Sequence, residues 1–299
     1  MSIDLDQLLA TAGLEPHQVD EVVRRTLAED LQWGPDVTTG ATIKPDQSGT
    51  ADVVARAAGT IAGIPVAVAV LLAAAEQDRA ELIIDAVRAD GDHVQPGDTI
   101  LTVTGPLRTL LTAERSMLNL LSQLSAVATL TAAWVSAIGD HHCRVRDTRK
   151  TVPGLRVLQK YAVRCGGGLN HRMGLGDAAL IKDNHVAAAG SVTAALDAIR
   201  AAHPSIPCEV ECDTLDQVAE AVAAGAELVL LDNMTPDEMR QAVAATRPYG
   251  VRTEASGGLT LPQAAEVAAT GVDFITVGEL THSAPVLDLG FDLTSPAVV

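Results

Sequence analysis

Residues 207–280 read PCEVECDTLDQVAEAVAAGAELVLLDNMTPDEMRQAVAATRPYGVRTEASGGLTLPQAAEVAATGVDFITVGEL. Four short runs punctuate this stretch: PCEVEC (207–212), LVLLDN (228–233), VRTEASGG (251–258) and DFITVGEL (273–280), beginning 21 to 23 residues apart. Apolar or alternating runs of this length, bounded by Gly, Asn and Asp, read as strands. The segments between them carry helix start signals. Thr214 with Gln217, Thr235 with Pro236 and Glu238, and Thr260 with Gln263 each supply an N-cap oxygen and a residue three places on that can reach back to it. Repeated strand–helix units of this size require parallel strands, in a barrel or an open doubly wound sheet. Upstream, CRVRDT (143–148) and AALIKD (178–183) add two more strands to the series.

The residues at the strand ends favour the barrel. Arg149 and Lys150 follow the first strand and Lys182 ends the second; Glu211 ends the third and Asp232 the fourth. Ser256, Gly257 and Gly258 follow the fifth, and Gly278 lies near the end of the sixth. Any one of these alone reads as a strand-end cap or a surface charge. Six in succession put polar groups at the carboxyl ends of parallel strands, where α/β barrels carry their chemistry.

Charge is distributed unevenly. The chain of 299 residues has a formal net charge of −17, which argues against nucleic acid or an anionic membrane surface as partner. Yet nine of its 21 Lys and Arg residues fall between Arg144 and Lys182, with two acids among them, Asp147 and Asp177. Positive charge concentrated in this way points to a small, highly charged anion. Guanidinium groups such as Arg149 and Arg172 bind carboxylates or phosphates bidentately, and lysines such as Lys150 and Lys182 add compact charge. The run CGGGLNHRMGLGD (165–177) presents His171 and Arg172 between glycine clusters and lacks the spacing of a P-loop. Glu211 and Asp232 supply two carboxylates facing this basic set, an arrangement that suits Mg²⁺ bridged to substrate oxygens, or ribose hydroxyls. The plainer alternative is that they only pair with the lysines. Ser256, Gly257, Gly258 and Gly278 suit a phosphate held on backbone N–H groups.

The first 120 or so residues are less regular. Val19–Leu31 reads as an amphipathic helix, GPDVTTG (34–40) as turns, Ala51–Ala57 as a strand and Pro65–Glu76 as a small-residue helix. DGDHVQPGDTILTVTGP (90–106) reads as hairpins and Glu114–Ile138 as a long apolar helix, so this half is an α+β sandwich. Ala57–Ala75 carries no charge, but Gly59, Gly63 and Pro65 make it a buried strand–turn–helix rather than a membrane span. Apolar residues are 47% and aromatics 2%, so Ala, Val, Leu and Ile must fill the core. Cys143, Cys165, Cys208 and Cys212 have no metal or disulfide spacing and read as reduced thiols of a cytoplasmic protein.

Five stretches together resemble the quinolinate phosphoribosyltransferase family. They are LTAERSMLNLLSQLSAVAT (111–129), DTRKTVPGLRVLQKYAVRCGGGLNHRMGLGDAALIKDNH (147–185), EVEC (209–212), LLDNM (230–234) and EASGG (254–258). AEDLQWGPDVTT (28–39) is also similar to that family's N-terminal pattern, and the resemblance covers essentially the whole chain. Ala126 stands where the family's segment has a glycine.

The resemblance implies an N-terminal open α/β sandwich domain over 1–125, joined by the tail 283–299, and an incomplete α/β barrel of fewer than eight strands over 126–282. It implies transfer of phosphoribosyl from phosphoribosyl pyrophosphate to quinolinate with loss of CO₂, dependent on Mg²⁺, in a homodimer or higher oligomer. Arg149, His171 and Arg172, with Arg115 of the partner copy, would hold the two quinolinate carboxylates beside Thr148. Lys150 and Lys182 would lie between the substrates. Glu211 and Asp232 would meet the ribose hydroxyls and Mg²⁺, and Ser256, Gly257, Gly258 and Gly278 the 5-phosphate.

Rival readings fare worse on the residues. A Schiff-base aldolase using Lys182 or Lys150 leaves Glu211 and Asp232 unexplained. A biotinyl or lipoyl carrier would need a lysine in the turn DGDHVQPGD (90–98), and none is there. A molybdenum-transport-associated relative of the same fold is opposed by the intact basic set, and nicotinate as substrate by cations enough for two carboxylates.

Overall fold

The computed structural model describes residues 4–296; the extremes of the first domain as read from sequence, 1–3 and 297–299, lie outside the described residues. These residues divide into two compact units, one of 4–130, 152–167 and 283–296, the other of 131–151 and 168–282.

The first unit is built on a four-stranded antiparallel sheet in the order Leu289–Pro296, Ser48–Ala55, Thr99–Pro106, Ile83–Ala86. Ser48–Ala55 alternates half-buried and buried residues, with Ala51, Val53 and Ala55 inward, as a strand with one covered face must. The helix Ile64–Asp78 is buried all along its first turns, and Leu5–Ala12 and Pro16–Leu31 pack on it. The uncharged stretch 57–75 is therefore a short strand, Gly59–Thr60, followed by this buried helix. Leu107–Ala137 is long and apolar enough to cross a bilayer, but 56% of its most apolar window is buried within the protein. Two local readings change. GPDVTTG contains a helical turn and a half, Val37–Thr42, because Asp36 accepts the Thr39 N–H and starts it. His93–Val94 pairs with Gly59–Thr60 rather than with the strand Thr99–Pro106 that follows it.

The helix Arg156–Cys165 also belongs to the first unit, although its position between two barrel strands places it in the second when read from sequence. Tyr161 donates to Asp90, and Arg164 donates to the Ala12 carbonyl at 2.9 Å.

The second unit is a parallel sheet of six strands: β1 (Arg144–Arg146), β2 (Ala179–Ile181), β3 (Cys208–Cys212), β4 (Leu228–Asp232), β5 (Arg252–Ser256) and β6 (Phe274–Thr276). Their order is β1-β6-β5-β4-β3-β2, so the sheet is an incomplete barrel. At its open side Leu169 bridges in parallel to Arg146, and its N–H donates to the Val145 carbonyl at 2.8 Å. All six strands fall on the runs read from sequence, and the capping boxes at Thr214/Gln217, Thr235/Glu238 and Thr260/Gln263 are formed. Val210, Val229, Leu231, Ala255 and Ile275 are buried, filling the sheet with aliphatic side chains in place of aromatics.

Candidate active site

A cavity of about 410 Å³ opens at the carboxyl ends of the barrel strands. Thr148, Arg149 and Lys150 enter it from the loop after β1, Lys182 from the residue after β2, and Glu211, Asp232, Ser256 and Thr276 from the ends of β3 to β6. His171 and Arg172, from the segment that closes the open side, complete its polar wall, and Leu180 and Leu230 give its apolar lining. A second cavity of about 240 Å³ adjoins it and shares Thr148, Lys150, Ser256 and Thr276; Gly257, Gly258 and Gly278 line the remainder with Leu259, Val277, Glu279 and His282. The barrel thus brings together every residue singled out in it from sequence.

Backbone conformation explains the glycines. Gly257 has φ +91°, and a Cβ there would lie 2.3 Å from Asn233 Oδ1 and 2.7 Å from the Asn233 backbone N. The Asn233 N–H donates to the Ser256 carbonyl at 3.0 Å, so the loops after β4 and β5 are laced together where a side chain would part them. At Gly278 a Cβ would lie 3.0 Å from Lys150 Cδ. The Lys150 carbonyl in turn accepts the Thr281 hydroxyl at 2.8 Å, and its N–H donates to Thr148 Oγ1 at 2.9 Å. Lys150 is therefore fixed through its backbone while its side chain runs between the two cavities.

Charge in the main cavity is mixed. The Lys182 ammonium donates to Glu211 Oε2. Asp232 Oδ2 accepts the Asn233 side-chain amide at 2.6 Å. Arg172 donates to the Ala178 carbonyl at 3.1 Å, and burial, followed by the Arg149 charge, pulls its guanidinium below the ordinary arginine value. Asp177 and Glu209 act on the Arg172 guanidinium in the opposite sense.

Beneath this layer lies a buried ionic floor that the sequence reading did not single out. Glu209, two residues before Glu211 on the same strand face, is 4% exposed, and Glu254, two before Ser256, is 0% exposed. Arg146 and the Thr276 hydroxyl both donate to Glu254, and Arg146 stacks over Phe274 at 4.7 Å. Burial pushes both carboxyls up to about 7, with Arg146 opposing. The period-2 alternation of EVE and EAS is the signal that would have found them. Among the described residues His171, Glu209 and Glu254 come close enough to hold a metal ion, their ligand atoms within 4.8 Å of one another. Both Glu254 oxygens already accept from Arg146 and Thr276, so the donor set does not fit a cation.

One expected donor is already engaged within the protein. His171 lines the cavity, but Nδ1 accepts the Arg172 N–H at 2.7 Å and Nε2 lies 2.8 Å from Glu209 Oε2, so both ring nitrogens are engaged inside the protein. Arg115 lies on the helix Leu107–Ala137, in the first unit, with its side chain 65% exposed.

Comparison with known proteins follows this geometry. The model of the quinolinate phosphoribosyl transferase C-terminal domain matches residues 127–292, and that of the N-terminal domain residues 36–125. The chain is 51% identical over 275 residues to the nicotinate-nucleotide pyrophosphorylase (carboxylating) of Mycobacterium leprae, covering 91% of this chain and 96% of that one. It is 41% identical over 283 residues to the probable enzyme of the same name from Bacillus subtilis, covering 93% and 94%. Among solved structures, NadC from Streptococcus pyogenes superposes with a TM-score of 0.88 at 38% identity, covering 94% of this chain and 99% of that chain. The nicotinate-nucleotide pyrophosphorylase from Francisella tularensis superposes with a TM-score of 0.88 at 36% identity, covering 94% and 98%.

Proposed function

The chain belongs to the quinolinate phosphoribosyl transferase family, and we infer that its reaction is that family's: phosphoribosyl passes from phosphoribosyl pyrophosphate to quinolinate, which loses CO₂, giving nicotinate mononucleotide and pyrophosphate for NAD synthesis. The observation that carries this reading is the convergence of Arg149, Lys150, Arg172 and Lys182 with Glu211 and Asp232 in one cavity, beside a glycine-lined one.

The division of labour follows from the chemistry. Arg149 and Arg172 offer bidentate forks to the quinolinate carboxylates, with Thr148 beside them. Ser256, Gly257, Gly258 and Gly278 take the 5-phosphate. Glu211 and Asp232 accept from the ribose hydroxyls. The same two carboxylates, hard oxygen donors on neighbouring strands with room for water or substrate oxygens, fit Mg²⁺, which when bound would neutralise the departing pyrophosphate. Lys150 and Lys182 lie between the anions and stabilise negative charge as the bond from C1 to the leaving oxygen breaks. The positively charged C1 then meets the quinolinate nitrogen held in line by the arginines. Once alkylated, the ring nitrogen is cationic and stabilises the electron pair left at C2 as its carboxylate departs as CO₂; a proton at C2 completes the product.

The reading extends to a cytoplasmic homodimer in which Arg115 of one copy completes the other's carboxylate site. Its support is that Arg115 is 65% exposed on the first unit, and that Trp33 and Val37 of the same unit are 90% and 76% exposed.

Product analysis tests the whole. Purified protein with Mg²⁺ and phosphoribosyl pyrophosphate should form nicotinate mononucleotide and CO₂ from quinolinate and nothing from nicotinate. Absence of product from quinolinate, with the protein folded, would overturn the assignment. Light scattering, and rescue of activity on mixing Arg115→Ala with Arg149→Ala protein, test the shared site.

A further inference from the structure

His171 stands in the cavity wall with neither ring nitrogen directed to a ligand. Nδ1 accepts the Arg172 N–H at 2.7 Å, which requires the ring proton of the neutral imidazole to sit on Nε2. Nε2 donates to Glu209 Oε2 at 2.8 Å and lies 3.6 Å from Glu254 Oε1. The backbone is tied as well, the His171 N–H donating to Asp147 Oδ1 at 2.8 Å and the Asn170 amide to Asp147 Oδ2 at 2.6 Å. The side chains of His171, Glu209 and Glu254 are 8%, 5% and 0% exposed, so water does not compete for these bonds. What the ring holds is Arg172, whose guanidinium is anchored at its other end on the Ala178 carbonyl.

We propose that Glu209, seconded by Glu254, is a positioning residue for recognition of the substrate carboxylate: it locks His171 as the Nε2–H tautomer, and His171 in turn fixes the backbone of Arg172 so that its guanidinium presents a set fork to the anion. This rests on the reading of the cavity as a quinolinate site. Glu254 does not take over the task, because its Oε1 stands 3.6 Å from the His171 Nε2, beyond a hydrogen bond, while its oxygens accept from Arg146 and Thr276. Glu209 differs in that its Oε1 is buried with no hydrogen-bond partner among the described residues, while its Oε2 meets the His171 ring.

Two substitutions separate this role from simple filling of the barrel. Glu209→Leu keeps the volume and removes the acceptor, whereas Glu209→Gln keeps a carbonyl oxygen for the Nε2 proton. We expect the leucine variant to raise KM for quinolinate by about tenfold or more, the scale of a small misplacement of a binding group, with KM for phosphoribosyl pyrophosphate little changed. The glutamine variant should recover most of the loss. Independently of turnover, ¹⁵N spectra of histidine-labelled wild-type protein, with the His171 signal assigned by its loss in His171→Gln, should show Nε2 protonated and Nδ1 bare. In Glu209→Leu that preference should weaken. A His171 ring protonated on Nδ1 in the wild type, or an unchanged quinolinate KM in folded Glu209→Leu, would overturn the proposal. Failure of the wild type to turn over quinolinate would strike at the enzymatic reading instead, and the spectra would still decide the tautomer.

Discussion

Lys182 and Glu211 form an ion pair at the mouth of the barrel, the ammonium at the end of one strand donating to a carboxylate near the end of the next. Without substrate each neutralises the other; on the reading above, the pair divides when substrate binds, the lysine turning to the leaving pyrophosphate and the carboxylate to the ribose. Lys182→Ala and Glu211→Ala should each lower kcat/KM for phosphoribosyl pyrophosphate by roughly a hundredfold. The double variant should fall short of the product of the two losses, because each single change strands one charge in the cavity. Steady-state kinetics on the four proteins measures this, and strictly multiplicative losses would show that the two groups act apart.

Arg149 and Arg172 should not tolerate lysine. Their value lies in a planar fork that meets a carboxylate with two parallel bonds, which a lysine cannot reproduce. Arg149→Ala and Arg149→Lys should both cost about a hundredfold in kcat/KM for quinolinate, mainly through KM. Near-normal kcat/KM in Arg149→Ala would remove that arginine from the site.

Much of this arrangement was legible before any fold was known. The strand spacing, the capping boxes and the polar strand ends place Lys182, Glu211, Asp232 and Ser256 at one mouth on period-2 and capping chemistry alone. What was not legible depends on contacts between segments distant in sequence. Glu209 and Glu254 read as members of alternating strands until Arg146 and His171, 63 and 38 residues away from Glu209, are brought against them by the barrel's closure. Arg156–Cys165 reads as a barrel helix because nothing local announces that Tyr161 bonds Asp90. His171 reads as an anion donor because its tautomer is set by a backbone neighbour and a buried acid.

Gly257→Ala should damage the phosphate end selectively. The added methyl meets Asn233 at distances no Cβ occupies, on a backbone with φ +91° that alanine resists. The loops after β4 and β5 must part, so KM for phosphoribosyl pyrophosphate should rise about tenfold or more while thermal stability of the rest changes little. Unaltered KM for phosphoribosyl pyrophosphate would move the phosphate elsewhere.

The four free thiols should be poor nucleophiles in the native protein. Burial pushes Cys143 and Cys212 up to about 12 and Cys165 up to about 11, and raises Cys208 as well. At pH 8 a chromogenic disulfide reagent should react slowly with the folded chain and rapidly with all four thiols after denaturation. A fast native thiol would mark a cysteine more exposed than the fold allows.

Stability should depend on pH through the ionic floor. Burial, with the Glu209 charge adding to it and Arg146 opposing, lifts Glu254 from 4.5 to about 7. A carboxyl whose folded value is raised keeps its proton between about 4.5 and 7, where the unfolded chain has already lost it. The stabilisation is therefore complete below 4.5 and is lost as pH rises through 7, when the fold must carry a buried carboxylate. Glu254→Gln removes that ionisation and leaves an oxygen for Arg146 or Thr276. Between pH 5.5 and 8.5 the wild-type Tm should fall more steeply than that of Glu254→Gln, the two slopes separating the curves by on the order of a few degrees. Differential scanning calorimetry across that interval decides it: parallel curves would mean that Arg146 already offsets the burial of the charge, and that the floor is ionised well below neutrality.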